Sequence, residues 1–338
     1  MPQLAEVNNM QKKRTIKQLA KKIYTNDTTP IIIALVLEIL VFGLLSPYFF
    51  TTRNLLTVIQ YCSLVGLVAL PMTLLMIGGQ FDMSLGSQVA LTSCVAGMIC
   101  PASPENLGGV LLAYLLPIVV GAMIGLLNAL FITRVHLGAF ISTMAMMQAL
   151  RGVTYLITNG QSKMIGNVVF GFIGRGKFLG IPITMYIFVL FIVVFWVITK
   201  HSVLGRRAYL IGGNPVSARL SGIDVPRTLT WLYIILGAIT GFAGALTASQ
   251  LGAAIPSGSE DFGFDVISAV VLGGVAMSGG KGTIPGAVLG VLVLALLDNG
   301  LVMLNVSSHW QLVFSGLVLL LAISIDAIRQ QASTRLLK

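Results

Sequence analysis

The sequence predicts an all-α integral membrane protein, and three observations carry that expectation. Charge is scarce: 9% of the 338 residues are charged and 56% are apolar, against about 25% charged in an ordinary soluble domain. Such a chain cannot cover its own surface in water, so membrane lipid is its expected solvent. Apolar runs recur near the roughly 20 residues that a helix needs to cross a bilayer, and the mean hydropathy is +0.93. Lysine and arginine, which give a net charge of +10, gather in a few tails and loops, as membrane topology requires. That segregation argues against a nucleic-acid partner.

In chain order, the stretch "MPQLAEVNNMQKKRTIKQLAKKIYTNDTTP" places Lys12, Lys13, Arg14, Lys17, Lys21 and Lys22 ahead of a full-length apolar run. It reads as a basic cytoplasmic tail over residues 1–29 and lacks the short apolar core and cleavage site of a signal peptide. A single membrane domain follows over 30–327. Ten spans are expected near 30–48, 55–77, 84–100, 109–133, 137–158, 183–199, 228–250, 264–279, 283–305 and 309–327, with a short tail at 328–338. Turn-rich connectors such as "PASPENLGG" and "GAAIPSGSEDFG" separate them. With both termini cytoplasmic, sixteen basic residues fall inside; Arg53, Lys163, Arg175 and Lys177 fall outside, and Arg151 lies within a span.

Two connectors exceed what a link between spans needs. The glycine-rich 159–182 segment is expected outside, carrying a short irregular or amphipathic piece. The 200–227 segment, "KHSVLGRRAYLIGGNPVSARLSGIDVPR", is expected inside. There Asn214 and Pro215 suit an N-cap and first helical position, and Gly222 suits a helix end. A capped basic helix on that face is either a docking element or a solvated linker.

The stretch "GGQFDMSLGS" at 78–87 is the sharpest local signal. A lone aspartate at mid-span costs about 2.5–3.5 kcal/mol, so Asp82 must lie at a boundary, face the bundle interior or have partners. Glycines permit irregular backbone or close helix approach, and such backbone survives at membrane depth only when protein or a cavity covers it. Residues 78–87 therefore predict a broken helix beside a pathway, with Gly79, Phe81, Asp82, Ser84, Gly86 and Ser87 as candidate residues. Ser84 and Ser87 are expected to satisfy freed backbone groups, and Asp82 to cap the helix restarting at 84. A cap without contact to cargo is the plain alternative. "LGGVAMSGGKG" at 272–282 echoes this stretch with a one-residue slip, a hint of duplicated halves.

That second stretch is not a phosphate loop. The pattern G-x-x-x-x-G-K-[ST] fails because Lys281 comes one position late and Gly282 follows it. Cys62, Cys94 and Cys100 lie in apolar segments with no metal or disulfide spacing. Glu38, Arg151, Asp265, Asp298 and Asp326 are the other intramembrane or interfacial ionisable groups. No paired carboxylates, zinc spacing or nucleophile constellation is visible, so no enzyme chemistry is expected.

Several motifs together resemble one family. "GQFDMSLGS" is similar to its hallmark, with Met83 and Leu85 for the usual Leu and Val. "STMAMMQALRGVTYLITNGQ" carries the Arg151–Gly152 and Gly160–Gln161 pairs. "GRRAYLIGGNPVSARLSGI" matches the family's inner loop, departing at Leu210–Ile211 and Ser217. "ISAVVLGGVAMSGGKGTIPGAVLGVLVLALLDNGLVMLNVSSHWQ" matches its final third, with Ala287 for a frequent Thr. The chain thus resembles the permease subunits of ribose-type ABC importers, a branch that carries monosaccharides and autoinducer-2.

The resemblance implies a ten-helix subunit that pairs with a second permease copy or a similar permease. It implies a cytoplasmic ATPase docked on the 200–227 loop, with Gly205, Arg206, Arg207, Gly213, Asn214, Arg219 and Gly222 as coupling residues. It also implies an extracytoplasmic solute-binding protein, with ATP and magnesium bound by the partner subunit and no cofactor on this chain. Two other readings stay open: an ion-coupled secondary carrier using Glu38, Asp82 and Asp298, and a branched-chain amino-acid ABC permease.

Overall fold

Among the residues that the computed structural model describes, 29–318 together with 320 and 324, thirteen helices in chain order make up the greater part. The expected basic tail, the C-terminal tail and Asp326 lie outside the described residues. Helix α1 spans Thr29–Leu45, α2 Thr52–Ile77, α3 Leu85–Ile99, α4 Leu107–Thr133 and α5 Ala139–Thr158. The two-residue strand β1 (Lys163–Met164), helix α6 (Val168–Arg175) and the β2–β3 hairpin (Lys177–Phe178 with Ile181–Pro182) follow. Next come α7 (Ile183–His201), α8 (Val203–Gly213), α9 (Pro215–Leu220), α10 (Val225–Leu251), β4 (Ala253–Ala254), α11 (Phe262–Leu272), α12 (Ile284–Met303) and α13 from residue 308 to at least 318.

Five of these helices, α2, α4, α7, α10 and α12, are long and apolar enough to cross a membrane; α1, α3 and α11 are shorter apolar helices. The architecture is that of an all-α membrane protein. The expected spans at 84–100 and 264–279 are trimmed, because α3 holds only 15 residues and α11 only 11. The second loss has a local cause: Gly273 and Gly274 end α11, so 273–283 is turn backbone instead of helix.

Burial ranks the helices from centre to periphery. Every residue of α2 from Val65 to Ile77 is buried, as is every residue of α3 from Leu85 to Cys94. A helix hydrophobic all round is a buried one, and here these two segments form the centre. By contrast α4 and α7 leave Leu111, Leu116, Val119, Met123, Leu190 and Val193 exposed, as lipid-facing or partner-facing surface would.

Glycines set a close helix crossing. Gly121 and Gly125 of α4 lie against Gly237 and Gly241 of α10; a Cβ on Gly121 would collide with Gly237 O, and one on Gly241 with Pro117 O. Small residues four apart on each helix let the backbones touch. Gln88 of α3 closes the crossing from a third side, its Nε2 donating to Gly121 O at 3.0 Å and Gly237 O at 3.1 Å.

The 159–182 segment, expected to carry a short irregular or amphipathic piece, holds the short helix α6 between two-residue strands. Asn167 caps α6 by accepting from Phe170 N, and its Nδ2 donates to Pro101 O and Ser103 O. Strand β1 pairs antiparallel with β4, which ties this segment to the loop after α10.

Candidate functional site

The site is built where α2 stops. Gly78 N donates to Leu74 O, Gly79 N to Met76 O and Gln80 N to Leu75 O, a helix end that requires a left-handed residue, supplied by Gly79 with φ +76°. The chain then runs irregularly to α3. Asp82 is 1% exposed. Its Oδ1 accepts from Ser84 N at 2.7 Å and from the Ser84 hydroxyl, and its Oδ2 accepts from Asn128 Nδ2 at 2.9 Å. Asn128 Nδ2 also donates to Ser84 Oγ at 3.1 Å.

These contacts correct one expectation. Ser84, not Asp82, is the N-cap of α3, and its side chain makes no capping bond. Asp82 instead folds the turn before the helix, accepting from the amide two residues on. The freed backbone around it is held by neighbours: Met83 N donates to Thr143 Oγ1 at 3.0 Å, and the Tyr233 hydroxyl donates to Phe81 O at 3.0 Å. Irregular backbone inside an apolar bundle needs such partners. Gly86 packs under the loop after β4, since a Cβ there would collide with Ser259 O. Arg151 Nη1 holds that loop through Pro256 O at 2.8 Å and Gly258 O at 3.0 Å. Ser87 is buried.

A second break repeats the first. Gly273 N donates to Ala269 O, Gly274 N to Val271 O and Val275 N to Val270 O, the same three-bond pattern as at 78–80. Gly78 and Gly273 have φ, ψ of −70°, 1° and −64°, 0°, and Gly79 and Gly274 have φ of +76° and +81°. The faint sequence echo is thus a repeated helix ending.

Both breaks meet the 200–227 segment. Ser202 caps α8, accepting from Gly205 N, and Asn214 caps α9, accepting from Val216 N and Ser217 N; Gly222 follows with φ +79°. Gly205 is buried against α7, where a Cβ would collide with Ile198 O. A Cβ on Gly212 would collide with Ile77 O and Gly280 N, and one on Gly279 would stand 2.7 Å from Gly79 Cα and 2.9 Å from Gly212 Cα. Gly280 N donates to Ile77 O at 2.8 Å, and the Tyr209 hydroxyl to Gly282 O at 2.7 Å. A Cβ on Gly213, by contrast, would meet nothing within 4 Å.

Alongside these contacts α8 and α9 expose Arg206, Arg207 and Arg219 together with Leu210, Val216 and Leu220. Arg206 Nη1 donates to His201 O at 3.1 Å. Beside the Gly79–Gly212 contact, a cavity of about 390 Å³ is lined by Gly79, Gln80, His136, Arg219 and Ser278 among others.

Reading the residues singly missed two constellations. Asn128, Thr143 and Tyr233 fasten the break, and their signal was their polarity within apolar helices. The other corrects the expected absence of paired carboxylates. Tyr61, Asp265 and Asp298, from α2, α11 and α12, converge with the Tyr61 hydroxyl 3.1 Å from Asp265 Oδ2 and 3.0 Å from Asp298 Oδ2. More than 200 residues separate the tyrosine from either carboxylate, so no local spacing could reveal them. Among the described residues no group of three or more His, Cys, Asp or Glu converges as a metal site.

A bundle of apolar helices whose buried centre is interrupted by two polar, glycine-built breaks is the architecture of a multi-pass transport permease. Residues 54–323 match the family described as branched-chain amino acid transport system, permease component, and the chain belongs to that family. It is 37% identical over 303 residues to the ribose import permease protein of Escherichia coli, covering 88% of this chain and 93% of that one. It is 39% identical over 297 residues to the ribose import permease protein of Bacillus subtilis, covering 87% and 91%. It is 34% identical over 284 residues to the L-arabinose ABC transporter permease protein of Azospirillum brasilense, covering 84% and 83%. No solved structure matches significantly. The chain is a non-catalytic permease subunit of the bacterial inner membrane.

Proposed function

We propose that this permease forms the translocation pathway of an ABC importer for a monosaccharide, as the printed functions of the ribose and arabinose relatives suggest. The reading includes a single permease domain over 30–327 that crosses the membrane ten times, between cytoplasmic tails at 1–29 and 328–338. The 200–227 loop then faces the cytoplasm. ATP and magnesium belong to a partner ATPase, an external binding protein delivers the solute, and a second permease completes the pathway.

One observation carries the mechanism. The α8–α9 pair, exposed and basic outward, touches both helix breaks inward through Gly79, Gly212 and Gly279. Backbone contact without intervening side chains is stiff, so a push on the loop reaches the breaks instead of being absorbed by rotamer changes. Arg206, Arg207 and Arg219 offer cations to an ATPase surface, and Gly205, Gly213, Asn214 and Gly222 shape the helices that present them. Asp82, with Gly79, Phe81, Ser84, Gly86 and Ser87, keeps the first break folded beside the pathway. It acts as a structural acceptor, not an acid catalyst.

The test is co-purification from native membranes, followed by reconstitution. The expected result is an ATPase and a solute-binding protein in the complex, with ATP-dependent monosaccharide uptake. A solitary chain that moves solute down an ion gradient would instead favour a secondary carrier.

A further inference from the structure

The carboxylates of Asp265 and Asp298 open on a cavity of about 450 Å³ between α2, α11, α12 and α13. That lies within the about 300–1,000 Å³ typical of small-molecule pockets. Nine of its thirteen lining residues are polar, and no lysine or arginine is among them. In a chain with so few polar side chains, this concentration is not a lipid-facing dent. A reciprocal amide pair braces α2 against α12 beside it: Asn54 Nδ2 donates to Asn299 Oδ1 at 2.9 Å, and Asn299 Nδ2 to Asn54 Oδ1 at 2.7 Å.

The hydrogen-bond inventory of the cavity is unbalanced. Tyr61 lies within bonding distance of both carboxylates, yet a phenol has one proton to donate. The other donor to the pair is the Ser315 hydroxyl, 3.5 Å from Asp298 Oδ1. Each carboxyl group offers about four lone-pair positions when ionised, so even with one proton held by the pair the cavity presents a surplus of acceptors. What completes it must bring hydroxyl or other donors.

We infer that this cavity is a solute subsite for a polyhydroxylated, uncharged molecule, a monosaccharide, on the outer half of the permease. The assignment of solute class and of the outer side rests on the function proposed above. Adjacent sugar hydroxyls donate to Asp265 and Asp298 in charge-assisted bonds, while Asn299 and Gln311 offer amide groups to the remaining oxygens. The same wall gives an amino acid's carboxylate no cation to receive it, only Asp261, Asp265 and Asp298. A metal ion fits less well, because the Tyr61 hydroxyl occupies the position between the two carboxylates.

The test uses the full chain in its reconstituted complex, with Cys100→Ser and Val302→Cys; Val302 lines the cavity and is half exposed. Cys62 and Cys94 are buried, and the Cys100→Ser chain alone is the control for their labelling. A charged, membrane-impermeant maleimide is applied from outside, with D-ribose, L-arabinose, L-leucine, sodium or calcium as competitor. ATP-dependent uptake of both pentoses is measured on the same preparation.

The expected result is labelling from outside that a pentose slows saturably, about threefold at a concentration twice its Kd by mass action. Combining Asp265→Asn with Asp298→Asn should abolish that protection. Protection in the chain with native carboxylates decides the matter even if the double variant fails to assemble. Protection by leucine, sodium or calcium alone would overturn the subsite, as would a thiol unreachable from outside. Pentose uptake without pentose protection would overturn the subsite and leave the permease reading standing. Absence of ATP-dependent pentose uptake would overturn the monosaccharide reading, and the subsite with it.

Discussion

The amide of Gly280 donates to the carbonyl of Ile77 at 2.8 Å, joining two helix ends that lie 203 positions apart in the chain. Ile77 is the last residue of α2, and Gly280 lies in the turn that follows α11. Gly212 of α8 sits on this same bond, its Cα facing Ile77 O and Gly280 N with no room for a methyl group. Three segments that are remote in sequence therefore share one backbone junction.

Gly212→Ala should break this junction. Overpacking a tight contact costs about 1–3 kcal/mol, and here the listener is backbone, which cannot rotate away. Uptake by the reconstituted complex should fall sharply while the protein still assembles. Gly213→Ala is the matched control, because a Cβ there meets open space. Equal uptake by both variants would refute the junction's role.

Asn128→Leu and Asp82→Asn should differ in severity. Removing Asn128 strips Asp82 Oδ2 of its donor and leaves a buried acceptor short of a partner, a loss of about 1–3 kcal/mol. Asp82→Asn keeps the shape, and Asn128 Oδ1, which has no partner, can turn to accept from the new amide. The expected cost is about 1 kcal/mol, the worth of a single hydrogen bond. Thermal unfolding in detergent and uptake in liposomes should rank wild type, Asp82→Asn and Asn128→Leu in that order. Wild-type behaviour of both would remove Asp82 from any gating role.

Thr143→Val tests the fastening of the break from α5. It is nearly isosteric and leaves the Met83 amide, now 3.0 Å from Thr143 Oγ1, without an acceptor. A buried unsatisfied donor costs about 1–3 kcal/mol. The unfolding temperature should drop, and amide exchange at Met83 should accelerate. An unchanged exchange rate would mean that the break is held elsewhere.

Charge reversal at the exposed Arg207 or Arg219 should uncouple ATP hydrolysis from uptake. Both residues are exposed, so folding should be unaffected, surface substitutions usually staying within about 0.5 kcal/mol. The decisive reading is solute-stimulated ATPase activity against uptake in the same liposomes. If Arg207→Glu and Arg219→Glu leave their ratio unchanged, the docking role is wrong.

Much of the molecule was legible from local pattern. The bilayer-length apolar runs expected at 55–77, 109–133 and 228–250, the Asn214–Pro215 helix start and the break beginning at the 78–79 glycines each need only neighbouring residues to be recognised. Where prediction overran, as at 264–279, hydropathy was the reason: Val275, Ala276 and Met277 are as apolar as a span, but the left-handed turn at Gly274 has already ended the helix. Capping is where Asp82 misled, since an aspartate two residues before a helix and one at its cap look alike in sequence.

The sequence by itself determined the solvent, the helical class, the glycine breaks and the capped basic loop, because burial of apolar runs and backbone preference act within a few residues. Only the tertiary structure decided who meets whom: Asp82 with Asn128, Tyr61 with Asp265 and Asp298, and Gly212 with Ile77 and Gly280. Those contacts depend on which helix faces touch at close range, which the α4–α10 glycine crossing and the rest of the packing settle. No local spacing encodes them.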